Sequence, residues 1–324
     1  MAGVVVASES LGSPIHAVAF GRALASANLV AAACGQQIIV YELTSAAPAP
    51  SSSSSSFAFE EKNRIVCSTT ITHLCWSPMD NAICATGTDF SLRRFDVKHT
   101  PHQPHNRATA EGATWVETFC VPAHAQPVND CQFNANGSLI ATCSDDGTVR
   151  IHHGQTGRAL STYDLLHPIT RVLWHRGRDE SNRFMVADTR GRIRIYAYGS
   201  GDNRAIMTLF TQEPLADLHW QLLDDSKVAA ITDTKWYTFN TQLSSLPQAH
   251  GALDSPGCSI AWSPRDTGVL AIGMADRFKV IRLTADGDHD VLAEERGGAT
   301  GVSFHSAINA CVVSMGATLL LFAF

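Results

Sequence analysis

The sequence has no excess of positive charge. It carries 24 Lys and Arg against 30 Asp and Glu, a formal net charge of −6. Bulk nucleic-acid binding needs clustered positive charge and is not expected. Long hydrophobic runs are also missing. The 28 residues from Gly297 contain no Asp, Glu, Lys or Arg, but Gly, Ser, Asn and His interrupt them. Their last unbroken apolar stretch, Leu319 to Phe324, falls far short of the ~20 residues of a membrane span. No membrane insertion is expected. The opening MAGVVVASES has no basic region and too short an apolar core for a signal peptide. No C-x-x-C pair occurs among the nine cysteines, several of which sit inside apolar runs (Cys75, Cys131, Cys143, Cys311). That pattern fits buried free thiols in a reducing compartment.

Catalytic signatures are missing as well. There is no G-x-S-x-G, G-x-G-x-x-G, H-E-x-x-H or P-loop. No catalytic residue, cofactor or metal ligand is nominated, and an enzyme is not expected. The closest thing to a metal site is His99, His102 and His105. Zinc needs ligands converging at ~2 Å, and these three are interleaved with Pro101 and Pro104 in a polar stretch, which reads as a solvated loop. His152 and His153 are adjacent in an expected strand. They face opposite sides, cannot chelate one ion together, and read as structural.

What is present is a repeat. In HAQPVNDCQFNANGSLIATCSDDGTVRIHH (124–153), an alternating run ends in an aromatic, Phe133. A turn, a second apolar run, an Asp-Gly hairpin turn and a third run follow. The aromatic recurs as Phe20, Trp76, Phe133, Trp174, Trp220, Trp262 and Phe304, at separations of 56, 57, 41, 46, 42 and 42. A third-run marker follows each one, as Tyr41, Phe95, Ile151, Tyr196, Tyr237, Ile281 and Phe322. The two long separations hold a Ser/Pro/Ala stretch at 45–56 and a Pro/His-rich stretch at 98–112. Neither could pack a core, and both are expected to be disordered inserts.

A period near 42 with four strands per unit is the WD40 propeller signature. The expected fold is all-β: a single seven-bladed propeller over residues 1–324 with four-stranded blades. Linker segments such as Trp115–Val121, Leu160–Tyr163 and Ile206–Phe210 supply fourth strands. The last unit lacks one, and Val4, Val5 and Val6 stand where a fourth strand would. They are expected to complete blade seven and close the ring, removing exposed sheet edges. The repeat motif is degraded: His124 and Asp146 occupy its His and Asp positions and can hydrogen bond, whereas His152-His153 replaces Trp-Asp.

One charge feature remains. Residues 171–204 hold eight Arg, no Lys and four acids. Arg171, Arg176, Arg178, Arg192 and Arg194 are the candidates for contact with an acidic partner, since the planar Arg fork pairs with carboxylates. In Gly191-Arg-Ile-Arg-Ile-Tyr196, Ile193 and Ile195 face inward and the arginines outward.

The order of Leu166-His167-Pro168, Val172-Leu173-Trp174-His175, Met185-Val186-Ala187-Asp188, Gly191 to Tyr196 and Glu213-Pro214-Leu215-Ala216-Asp217-Leu218-His219-Trp220 resembles the nucleoporin-37 family. Gly301-Val302-Ser303-Phe304-His305 and Leu319 to Phe322 extend the likeness. That family is the small WD-repeat subunit of the Y-shaped outer-ring complex of the nuclear pore. The resemblance implies a non-enzymatic scaffold docking on the large nucleoporin-160-type subunit and other Y-complex nucleoporins, in support of pore assembly and nucleocytoplasmic transport. It also implies a place at the nuclear envelope, and at kinetochores in mitosis. The competing expectation is another WD40 adaptor, such as a cullin ubiquitin-ligase substrate receptor. Those receptors share a Trp-Asp-x-Arg motif whose nearest analogue here, Phe95-Asp96-Val97-Lys98, lacks both Trp and Arg.

Overall fold

The structure, a computed structural model, describes residues 4–23, 26–46, 56–99, 113–175, 177, 182–201, 203–284 and 287–323. Among the described residues, 28 strands make up the fold. The first, β1 (Val4–Ser10), precedes blade one, which comprises β2 (Ile15–Phe20), β3 (Leu29–Cys34), β4 (Gln37–Ala46) and β5 (Ser56–Val66). Blade two is β6 (Ile71–Trp76), β7 (Ala82–Gly87), β8 (Ser91–His99) and β9 (Ala113–Pro122). Blade three is β10 (Val128–Phe133), β11 (Leu139–Ser144), β12 (Thr148–His153) and β13 (Ala159–Asp164). Blade four is β14 (Ile169–Trp174), β15 (Arg183–Asp188), β16 (Arg192–Ala197) and β17 (Met207–Phe210). Blade five is β18 (Leu215–Trp220), β19 (Lys227–Thr232), β20 (Lys235–Asn240) and β21 (Pro247–Ala252). Blade six is β22 (Gly257–Trp262), β23 (Val269–Met274), β24 (Arg277–Leu283) and β25 (His289–Arg296). The last three strands are β26 (Ala299–Phe304), β27 (Ala310–Met315) and β28 (Thr318–Ala323).

Six blades are antiparallel sheets in chain order. The seventh has the order β1-β28-β27-β26. Strand β1 lies antiparallel to β28, with Val4 opposite Ala323, Val5 opposite Phe322 and Ser10 opposite Thr318; Val6 is the extra residue of a bulge. The amide of Leu11 then donates to Ala317 O at 2.8 Å and that of Ile15 to Gly316 O at 2.8 Å. The ring is thus zipped by the two ends of the chain, as the spacing of Val4 to Val6 led us to expect.

Position within a blade explains which residues make which strand. Second strands are sandwiched between neighbouring sheets, and β7 and β23 are buried at every residue. Third strands alternate, as in β12 and β16. The rim strand β21 is nowhere fully buried. Period-2 patterning therefore appears only where one face meets solvent. The core is divided among seven apolar clusters, each filling the gap between two adjacent sheets. The cluster of Phe20, Val30 and Tyr41 with Val312, Leu319 and Leu321 joins blade seven to blade one. Six of the aromatic anchors are buried; Phe304 is half-buried. All seven third-run markers are buried.

The hairpin turn after Asp146 uses Gly147 at φ +80°, and the same position of blade four has Gly191 at φ +72°. That left-handed region favours glycine. Blade two places Phe90 there at φ +63°.

Most of the two expected inserts lies outside the described residues. Strands run out to Ala46 and His99 and resume at Ser56 and Ala113.

Candidate functional site

The innermost strand of each blade is a sheet edge, and the seven edges surround a central channel. Each of these strands carries a bulge at the same place, its second residue. The bulged residues include Thr72, Asn129, Thr170 and Ala216. A bulge re-aims the side chains beyond it. Here it turns the residue three before each aromatic anchor toward the channel. Those residues are Ala17, His73, Asp130, Arg171, Asp217, Ser259 and Gly301, and all line a cavity of about 410 Å³.

Four of them form a chain of polar contacts that ends in an ion pair. His73 Nε2 lies 2.9 Å from Asp130 Oδ1. Arg171 reaches across blade three to place Nη1 3.4 Å from His73 Nδ1, and its Nε lies 3.0 Å from Asp217 Oδ1. A guanidinium only donates, so His73 accepts at Nδ1 and gives its Nε2 hydrogen to Asp130. Burial alone would raise the Asp130 carboxyl; the hydrogen bond from His73, the positive charge of Arg171 and the amide of Val172 instead hold it below the usual carboxylate range. Burial likewise opposes the charge on Arg171, and Asp217 and Asp130 outweigh it, so its affinity for the proton rises.

The same side chains stitch each blade to the next. An edge strand leaves every second N–H without a ladder partner. Asp130 Oδ2 accepts from the amide of Val172 at 3.1 Å, and Gln132 Oε1 from that of Trp174 at 2.9 Å. One repeat later, Asp217 Oδ2 accepts from Ser259 Oγ at 2.8 Å and from the amide of Ile260 at 3.0 Å. His219 Nδ1 accepts from Trp262 at 3.2 Å. Ser303 Oγ accepts from Phe20 at 3.1 Å and carries the stitch across the closure. Sequence reasoning missed this ring. The available signal was polar residues three and one before the anchor.

Blade three holds a second polar network. His124 Nδ1 lies 3.0 Å from Asp146 Oδ2, and its Nε2 lies 2.8 Å from Thr142 Oγ1. Thr142 Oγ1 lies 3.1 Å from His152 Nε2, and His152 Nδ1 faces Gly157 O at 3.1 Å. A carbonyl only accepts, so His152 carries its hydrogen on Nδ1 and is left to accept at Nε2. Thr142 was not singled out from the sequence, and His152 supplies an imidazole where the repeat motif has Trp. His153 points the other way and is half-buried. Burial opposes the charge on Asp146, but hydrogen bonds from Thr148, Ala125 and His124 overcome it and take the carboxyl down to about 2. Burial also pushes the His124 imidazole below its ordinary value, against the pull of Asp146.

Burial takes His152 from 6.5 down to about 4. The unfolded chain protonates this ring below its ordinary pKa, while the folded chain resists until about pH 4. The stability contributed by the neutral ring is therefore complete above pH 6.5 and is lost as pH falls toward 4. The loss amounts to about 3 kcal/mol. We expect melting temperature to decline between neutral pH and pH 4, and His152→Gln to make that decline shallower. Scanning calorimetry across this window checks it, and an equally steep decline in the variant contradicts it.

The structure separates the candidate arginines. Arg171 belongs to the channel. Arg192 and Arg194 converge on Asp188, which is 1% exposed, with Nη2–Oδ2 distances of 2.7 and 3.3 Å. Ile193 and Ile195 are buried on the opposite face. Arg176 and Arg178 lie outside the described residues, as do His102 and His105; His99 ends β8.

Known proteins match this geometry. The family "WD domain, G-beta repeat" matches residues 115–153, from the rim strand of blade two through β12. Nucleoporin Nup37 of Mus musculus is 29% identical over 256 residues, covering 74% of this chain and 72% of that protein. Nucleoporin Nup37 of Homo sapiens is 29% identical over 198 residues, covering 59% of each. The Target of rapamycin complex subunit wat1 of Schizosaccharomyces pombe is 26% identical over 195 residues, or 56% of each chain. The crystal structure of Chaetomium thermophilum Raptor superposes with a TM-score of 0.77 over 98% of this chain and 29% of that one; at 12% identity it speaks for the fold alone. With seven four-stranded blades closed by the N-terminal strand and a WD-repeat match in blade three, this chain is a WD-repeat-type propeller similar to two mammalian Nup37 proteins.

Proposed function

We propose that this protein is a non-enzymatic scaffold subunit of the nuclear pore Y complex, gripped by a large nucleoporin-160-type subunit. The observation that carries this reading is the similarity to mouse Nup37 across 256 residues, on a propeller in which Asp130, Arg171 and Asp217 of the channel tie neighbouring blades together. Partner contact falls to the surface loops. Exposed large apolar residues gather on the loops leaving the first and third strands of blades four and five: Ile206, Leu222, Leu223, Leu243 and Leu246. Consecutive antiparallel strands place these loops on one end of the propeller. Apolar anchors of this kind, rimmed by polar residues, are where binding energy concentrates. Arg192 and Arg194 are not assigned to the contact, because they neutralise buried Asp188.

Affinity purification of the tagged full chain, read by mass spectrometry, tests the reading. Outer-ring nucleoporins are the expected harvest, with signal at the nuclear rim on imaging. Leu222→Asp combined with Leu243→Asp should reduce their recovery about tenfold or more, with the melting temperature little changed. Recovery of cullin adaptors or target-of-rapamycin subunits without outer-ring nucleoporins would defeat it.

A further inference from the structure

Arg22 differs from the paired charged groups that line the same channel, His73, Asp130, Arg171 and Asp217. It follows β2 and lines the cavity at the end where the first-strand loops converge, beside Pro78, Ala135, Pro264 and Ser306. It is half-buried. Among the described residues it has no hydrogen-bond or ion-pair partner. The channel acids are engaged elsewhere: Asp130 with His73 and the amide of Val172, Asp217 with Arg171, Ser259 and the amide of Ile260. Arg171 shows how this channel treats a cation that belongs to the fold, with a carboxylate at 3.0 Å. Arg22 has no such partner, and burial lowers its affinity for the proton. A cation withdrawn from water and left unpaired is costly. The cost disappears when an anion enters.

We propose that Arg22 is the anchor of an oxyanion-binding site in the channel mouth, taking a small ligand that bears a carboxylate or a phosphate group. The planar guanidinium presents paired N–H donors that fit the oxygens of either group. The cavity of about 410 Å³ is of small-ligand size. The acids that line the same cavity, Asp130 and Asp217, are held by His73 and Arg171. Ser303 and Ser306 bring hydroxyl groups to the same cavity. The site shares its end of the propeller, and Leu222 of its lining, with the proposed nucleoporin contact, so it is tested on the free chain.

The test uses the full chain and two probes, inorganic phosphate and acetyl-aspartate amide, at constant ionic strength. In the native protein, either probe should slow the modification of Arg22 by phenylglyoxal, followed by peptide mass spectrometry. Calorimetric titration should give an affinity that falls about tenfold or more in Arg22→Met, the loss expected for a charge-assisted hydrogen bond. Protection by phosphate alone identifies a phosphate ligand, by the amino-acid amide alone a carboxylate ligand, and by both a general oxyanion site; each supports the proposal. Modification of Arg22 at an unchanged rate with both probes overturns it, and so does equal affinity in Arg22→Met. The phenylglyoxal measurement needs no variant, so poor folding of Arg22→Met leaves the proposal testable.

Discussion

Removing residues 1–10 lowers the melting temperature by about 10 °C or more. The deletion takes away β1 and with it the ladder to β28, from Val4 opposite Ala323 to Ser10 opposite Thr318. It also removes Val5 from the cluster between blades six and seven, and Ala7 from the cluster between seven and one. Leu319, Leu321 and Phe322, all buried in the closed ring, lose part of their cover. Burying one such side chain is worth ~1.5–3 kcal/mol, so the sum is about 5 kcal/mol. At ~2 °C per kcal/mol for a chain of this size, the fall is large. The freed edge of β28 is also a template for pairing with another chain, so aggregation should accompany unfolding. Differential scanning calorimetry of the truncated chain checks this, and a melting temperature unchanged from the full chain rejects the closure.

The second large effect is expected at Asp217. This single carboxylate holds Arg171 of blade four on one side, and Ser259 and the amide of Ile260 of blade six on the other. Asp217→Leu leaves a guanidinium, a hydroxyl and an amide without their acceptor. Breaking a buried pair from one side costs about 3–5 kcal/mol, and the lower end applies here because the channel admits some water to Arg171. Adding Arg171→Leu removes the orphaned charge, so the double variant should be more stable than Asp217→Leu with the cost of Arg171→Leu added. Urea unfolding of the two single variants and the double variant measures the coupling. Strict additivity would mean that the two blades are not tied through this pair.

The ring of seven sheets was legible because each blade makes the same demand: one large aromatic at the end of its first strand and one apolar marker on its third. Trp76, Trp174 and Trp262 meet that demand with the same residue type, and the period is visible. The channel ring was hidden because Ala17, His73, Asp130, Arg171, Asp217, Ser259 and Gly301 occupy one geometric position with different chemistry. A polar residue in an alternating strand looks like a solvent face until the neighbouring blade is in view. The arginine-rich window shows the same gap. Alternation placed Ile193 and Ile195 inward, as the structure has them. Asp188, counted only as one acid among arginines, is the residue on which Arg192 and Arg194 close. For His152, the sequence registered the loss of Trp from the repeat motif. That an imidazole reaches Thr142 depends on where Gly157 O orients the ring, a contact no pattern encodes.

Native-state hydrogen exchange, read by mass spectrometry on the peptides that hold residues 4–10 and 318–323, tests the closed ring most directly. If the N-terminal strand is the fourth strand of blade seven, both peptides retain deuterium protection comparable to that of residues 310–315 and lose it only with global unfolding. Exchange of the N-terminal peptide at the rate of an unstructured chain, with 310–315 still protected, would show that the ring is open.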